Sequence, residues 1–438
     1  MKKLIALSLS LVMSAMCLAG CTSKPAPSQV PASTSTGTAS VSQAKAEPVT
    51  IKVSSWDLAT QPQFQAIADA YMAKNPHVTV DLIDIPSADY QTKLDVMLNG
   101  GSELDVIWIK AGDTTAAMAE KGQLADLTEY VKRDNVDLSV YSGMGERFVL
   151  DNKVVALPAS SGYYVLYYNK DIFDAAKIEY PSNDMTWKEF EDLAAKLTSG
   201  EGAEKKYGAL FHTWNACVQN WGVAEGKSTI MDDDLSYFKP YYEMVLRMQN
   251  ETKSCMDYAT LKTGSLHYSN LFMQGGVAMM PMGTWFSATM VDKKAAGETN
   301  VNWGMVKLPH AEGVEPGYTV GSVTPIAVNS TSKNVEESWN FVNFACSEEA
   351  AKINASHGLI PSISNENTLK ELATKEGMPE NALEALTVKN ISFDRPLHAK
   401  VGEVNQMLGE QHGLIMLGEL TIDEGIAEME KLSKEIRG

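Results

Sequence analysis

Residues 104–109 read Leu-Asp-Val-Ile-Trp-Ile, five apolar side chains in six positions. A strand with one face in water alternates apolar and polar residues. A near-continuous apolar run is the pattern of a parallel strand covered on both faces. The sequence before it supports that reading. Val49 to Ser55 (VTIKVSS) predicts an opening strand. Phe64, Ile67, Ala68 and Tyr71 recur at helical spacing, with Thr60 placed to cap and Pro62 in the first turn. His77 to Ile83 (HVTVDLI) alternates as a strand, and Tyr90, Leu94, Met97 and Leu98 mark a helix that stops at Gly100-Gly101. Strand and helix alternate, so the fold class is α/β with right-handed crossovers.

Beyond residue 109 the pattern continues. Tyr164 to Tyr168 predicts a strand that opens a second lobe near Tyr163. Thr186-Trp187-Lys188-Glu189 is a capping box before a helix carrying Trp187, Phe190, Leu193 and Leu197 on one face. A helix around Tyr241 to Gln249 and strands at 276–281, 302–308 and 324–328 follow, then a helix over 336–346. The tail from Leu369 reads as mostly helical, with a second capping box at Thr421 to Glu424 and no internal repeat. From Val49 to Gly438 the chain exceeds the roughly 250–300 residues at which single cores stop growing, so two lobes are expected.

The N-terminus reads as a sorting signal over residues 1–20. Lys2 and Lys3 precede an apolar run, Leu4 to Ala19, that is too short for a comfortable membrane span. It ends at Leu18-Ala19-Gly20-Cys21, which resembles the bacterial lipobox. That resemblance implies lipid attachment at Cys21 and an extracytoplasmic chain held on the outer face of the cell membrane. Residues 21–48 then form the tether. From Thr22 to Pro48 the chain is rich in Ser, Thr, Pro and Ala and has no aromatic residue, so it cannot bury enough surface to fold. As a coil it would span roughly 30 Å.

The net charge of −18 argues against nucleic acid and against an anionic lipid surface as partners. Of five cysteines, Cys17 leaves with the signal and Cys21 takes the lipid. Cys217, Cys255 and Cys346 are too widely spaced for a zinc site. They read as three buried thiols, or as one free thiol beside a Cys217–Cys255 bridge. No metal or other cofactor is expected. The seven histidines include no H-E-x-x-H, and no G-x-S-x-G occurs. Gly222 to Ser228 (GVAEGKS) approximates a phosphate loop but is one residue short, with Trp221 where the first Gly would stand. Asp232-Asp233-Asp234 lacks the alternation of a calcium loop. Paired carboxylates for glycoside hydrolysis need proximity in space and stay open at this point.

Several motifs stand in order along the chain: Gly100 to Ile107 (GGSELDVI), Leu124 to Thr128 (LADLT), Val154 to Pro158 (VVALP) with Tyr167 to Asp171 (YYNKD), Thr186 to Phe190 (TWKEF), and Phe272 to Trp285 (FMQGGVAMMPMGTW). Trp303-Gly304, Leu308-Pro309 and Trp339-x-Phe341 complete the series. Together they resemble family 1 extracellular solute-binding proteins, the carbohydrate-binding group that includes maltose-binding proteins. The chain departs from the family at Gly276, where a Lys is usual, and at Trp108 to Asp113 (WIKAGD), which does not align with the maltose-binding pattern without a gap. The resemblance implies a two-lobed periplasmic-binding-protein-like fold with a hinge and a ligand cleft between the lobes. Lobe 1 is expected over 49–158 and 306–350, and lobe 2 over 159–305 and 351–438. The implied function is capture of a carbohydrate by lobe closure and delivery to the permease subunits of an ABC importer, by a monomer that is not an enzyme. The rivals are a binding protein for a peptide or other polar solute, a surface enzyme acting on glycans, and an adhesin without a cleft.

Ligands of open α/β sheets bind beyond the carboxyl ends of the strands, so residues just past strand ends are the candidates. Sugars present apolar C–H faces and hydroxyl rims, which call for aromatic plates and planar polar groups. Trp285 follows Met282-Gly283-Thr284 where the family places a stacking Trp; a core Trp would fit the same position. Trp56 and Asp57 follow the first strand, with Asp57 equally suited to capping a helix. Trp108, Lys110 and Asp113 follow the third strand; Lys110 would favour an acidic sugar, and a solvated lysine fits the position as well. The resemblance implies lobe crossings near Pro158, Met305 and Ala350, and Tyr163 and Tyr164 flank the first of them. His212, Trp214 and Asn215 lie in an aromatic segment of few charges, and Asp394 with Arg395 sits in a loop as a contact or a structural ion pair.

Overall fold

In chain order the strands are β1 (Val49–Trp56), β2 (Val78–Ile85), β3 (Val106–Trp108), β4 (Val149–Leu150), β5 (Lys153–Val154) and β6 (Leu157–Asn169), then β7 (Tyr207–Ala209), β8 (Val277–Gly283), β9 (Trp303–Lys307), β10 (Tyr318–Val328), β11 (Ile360–Pro361) and β12 (Asn390–Phe393). The structure, a computed structural model, describes residues 47–438 except positions 60, 87, 88, 102, 111, 142 and 143 and the side chains of 113 and 203. The sorting signal, Cys21 and the tether up to residue 46 therefore lie outside the described residues, as does the Thr60 cap; the first helix, Gln63–Lys74, starts after Pro62 with no side-chain cap.

The main sheet runs β2-β1-β3-β10-β6-β8-β7, with β9 and β11 also paired to β6 and β12 to β10. β1 lies parallel to β2 and to β3, joined through the helices Gln63–Lys74 and Tyr90–Asn99. Val106, Ile107 and Trp108 are all buried, as the apolar run predicted. The sheet is nevertheless mixed, because β10 pairs antiparallel with both β3 and β6. β6 and β10 are longer than the alternation suggested. Their middles read Ser160-Ser161-Gly162 and Gly321-Ser322, polar and small, and carry no period-2 signal.

Those two strands pass between separate cores. One cluster gathers buried residues from 51–159 and 323–350, among them Val106, Trp108, Leu157, Ile326 and Phe341. Two others draw on residues from 163 onward, including Tyr164, Leu166, Val306, Leu308 and Val320 in one and Tyr163, Val165, Met280 and Phe286 in the other. β10 thus changes core between Val320 and Val323. Pro325 faces Pro158 across the ladder, and the register shifts between Thr324 and Pro325. Neither proline has an N–H to donate, so the ladder is thinned where the chain passes between cores.

Both capping boxes form. The Thr186 and Thr421 hydroxyls accept from the Glu189 and Glu424 amides at 3.2 Å, and each glutamate reaches back to its threonine N–H. Each cap contributes about 0.5–2 kcal/mol. Cys217, Cys255 and Cys346 are buried free thiols, so the Cys217–Cys255 bridge does not form. Among the described residues no helix is long and apolar enough to cross a membrane, and no cluster of ligating side chains could hold a metal.

Candidate functional site

A cavity of about 160 Å³ opens where β1 and β3 end, against the middles of β6 and β10. Trp56 and Trp108 line it from one side and Trp285 from the other. The first pair is fixed by edge-to-face aromatic packing. Phe64 sits 4.7 Å from both Trp56 and Trp108, and Tyr90 5.1 Å from Trp56. The Tyr90 hydroxyl lies 2.7 Å from Ser54 Oγ and donates to the Trp108 carbonyl, tying the two strand ends together. Trp108 is at once a core residue, 2% exposed, and part of the cavity wall. The polar part of the lining is Gln61, Gln63 and Asn354, with Ser160, Ser161, Ser322 and Thr324 on the two long strands, and Ile67, Ala159, Leu359 and Ile360 complete it.

Trp285 is half-buried and opens the helix Trp285–Ala295 directly after β8. Its indole is seated on glycine. A Cβ at Gly283 would lie 2.1 Å from the ring, and one at Gly162 would lie 3.1 Å from it. Trp285 Nε1 donates to Tyr268 Oη at 3.1 Å. Tyr268 in turn packs 5.6 Å from Trp214 and 5.2 Å from His212. Trp214 is 41% exposed, so an open aromatic plate is linked through Tyr268 to the cavity. His212 is buried, its Nδ1 has no hydrogen-bond partner, and burial brings its pKa down to about 4, which leaves the ring neutral.

Other predicted residues fall around or behind this centre. Tyr163 faces a core and its hydroxyl donates to the Leu386 carbonyl at 2.6 Å, so it does not reach the cavity. Tyr164 is buried between Trp221 and Trp285, 5.5 Å from the latter, and supports the plate from behind. Asn215 is engaged by Gln219 at 2.8 Å and Asn405 at 3.3 Å. Asp57 holds a left-handed backbone (φ 48°) at the end of β1, and its charge acts on Lys110, whose pKa burial lowers. Asp113 belongs to the turn Gly112–Thr114, which packs near the helix Val401–Leu417, and its side chain lies outside the described residues. Asp394 is buried, with Arg395 at 4.0 Å, and both charges act on Tyr164.

Aromatic side chains and neutral hydrogen-bonding groups line a gap at the ends of parallel strands, where ligands of open α/β sheets bind. A family profile for bacterial extracellular solute-binding proteins matches residues 56–352. The chain belongs to that family. This solute-binding protein is similar to a sugar transporter from Rhizobium etli solved in an open conformation, at 37% identity and a TM-score of 0.81, over 88% of this chain and 99% of that one. An ABC substrate-binding protein from Listeria monocytogenes in complex with cycloalternan shares 22% identity and a TM-score of 0.76, over 90% of this chain and all of that one. A lactose-binding protein of Rhizobium radiobacter is 23% identical over 63% of this chain and 65% of that one. As a solute-binding protein of an ABC importer, the chain is one of a family of binders and not of enzymes.

Sequence reasoning missed Tyr268, the glutamines, Asn354 and the long-strand hydroxyls. Ser160 and Ser161 follow Val154 to Pro158 after Ala159, and a polar pair breaking an apolar strand was the available signal.

Proposed function

We propose that this solute-binding protein captures a carbohydrate between its lobes and hands it to the permease subunits of an ABC importer from a lipid anchor at Cys21. The observation that carries the reading is the cavity itself, with three tryptophans facing a ring of hydroxyls and amides. Aromatic faces match the C–H faces of a pyranose, and the amides and hydroxyls match its rim. The cavity has room for on the order of ten water-sized bodies, about the heavy-atom content of one sugar ring. The exposed Trp214 offers a place for further rings outside it. The likeness to a sugar transporter supports the same reading.

In this reading lobe 1 takes 49–158 and 306–350 and lobe 2 takes 159–305 and 351–438; the packing of Val306, Leu308 and Val320 in the second core supports a return to lobe 1 nearer residue 323. In this reading Trp285, Trp56 and Trp214 offer the stacking faces, with the buried Trp108 closing the wall behind them, and His212, Asp57, Lys110, Asp113, Asp394 and Arg395 are further candidate contacts.

A thermal-shift screen against a carbohydrate panel tests the ligand class. A sugar at 100 times its Kd should stabilise the folded chain by about 2.7 kcal/mol, and stabilisation by peptides or amino acids alone would reject the carbohydrate. The anchor is tested by Cys21→Ser, which should release a soluble protein that still binds; membrane retention of that variant with its signal removed would reject lipidation.

A further inference from the structure

Among the described residues, no ionisable side chain lines the cavity beneath the tryptophans. Among the described residues that line it, every polar side chain is a hydroxyl or a primary amide. Outside that lining, the Asp57 charge acts on Lys110, and Arg395 lies 4.0 Å from Asp394. A ligand closed into such a space loses its water. A neutral hydroxyl then needs one hydrogen bond per group, which Gln63, Asn354 and the long-strand serines can supply. A phosphate, carboxylate or ammonium needs a counter-charge, and without one its desolvation costs several kcal/mol.

One feature pulls the other way. Two helices, Gln63–Lys74 and Trp285–Ala295, begin at the cavity with Gln63 and Trp285, and a helix N-terminus favours negative charge. That effect is about 0.3–1 kcal/mol per terminus in ordinary settings, smaller than the desolvation it would have to offset. Pro62 also removes one N–H from the first terminus. The net charge of −18 adds a repulsive field for anions. Desolvation therefore decides the balance.

We infer that the ligand is an uncharged sugar, and that the same cavity rejects its phosphorylated, uronic and amino counterparts. This rests on the carbohydrate reading above and narrows it. The test is calorimetric titration of the purified full chain with a panel of neutral mono- and oligosaccharides, each beside a charged counterpart: hexose phosphate, hexuronate and hexosamine, with glycerol phosphate and a tripeptide as non-sugars. The expected result is at least one neutral sugar bound on the order of 100-fold more tightly than any of its charged counterparts. A charged sugar bound as tightly as, or more tightly than, its neutral form overturns the inference and leaves the carbohydrate reading standing. Binding of the non-sugars alone, or no binding by any sugar, neutral or charged, overturns both.

Discussion

Tyr268 shows how much of the site one side chain can set. It touches Trp285, Trp214 and His212, three residues that the sequence pointed to separately, and it fixes their spacing. Tyr268→Phe keeps the ring packing and removes the bond to Trp285 Nε1. The lost bond should weaken sugar binding by about 0.5–1.5 kcal/mol, roughly two- to twelve-fold, with the unfolding midpoint nearly unchanged. Calorimetry beside indole fluorescence checks it: an unchanged affinity and emission would mean that the bond orients nothing. Trp56, Trp108 and Trp285, each expected at a strand end, line one cavity. Tyr163 and Tyr164 do not line it; neighbours on a strand point to opposite faces, and here both faces are core. Tyr268 carried no signal, because its role depends on contacts across space.

The turn from β8 into the helix Trp285–Ala295 is the element that aims the plate. Its Gly283 has no room for a Cβ beside the indole. Gly283→Ala should drive the ring out of its seat and cut affinity by at least about ten-fold, while β8, buried along its length, holds the fold. Near-native binding by this variant would show that the ring position is not needed. Elements with a strong period were legible: the alternating strands β1 and β2, the buried run of β3 and the two boxed helices appear where the sequence placed them. The long strands β6 and β10 were truncated by the sequence reading. Their polar, small-residue middles lie between cores and along the cavity, so no buried face imposes a pattern there.

At the scale of the molecule, two buried histidines set an acid limit on stability. Burial brings His212 down to about 4 and His412, packed by Tyr242 and Tyr258, down to about 3. The ordinary histidine value is near 6.5, so between there and these lower values the unfolded chain binds protons that the folded chain refuses. Stability is therefore present above about pH 6.5 and is lost as the pH falls. Between about pH 7 and pH 5 the loss should approach 2 kcal/mol per histidine, read from urea unfolding midpoints. Flat stability over that window, or an undiminished slope in His212→Gln and His412→Gln, would contradict the assignment. The two-lobed architecture was legible from the order and spacing of weak motifs, whereas the point at which β10 changes lobe was not, because it depends on which core Val320 and Val323 enter. The central claim is that a sugar is held against Trp285 in the cleft. It is tested most directly by calorimetric titration of Trp285→Ala with the tightest-binding neutral sugar of the wild-type chain. The account predicts a loss of about 2–4 kcal/mol, roughly 30- to 1,000-fold in Kd; a Kd equal to that of the wild-type chain would contradict it.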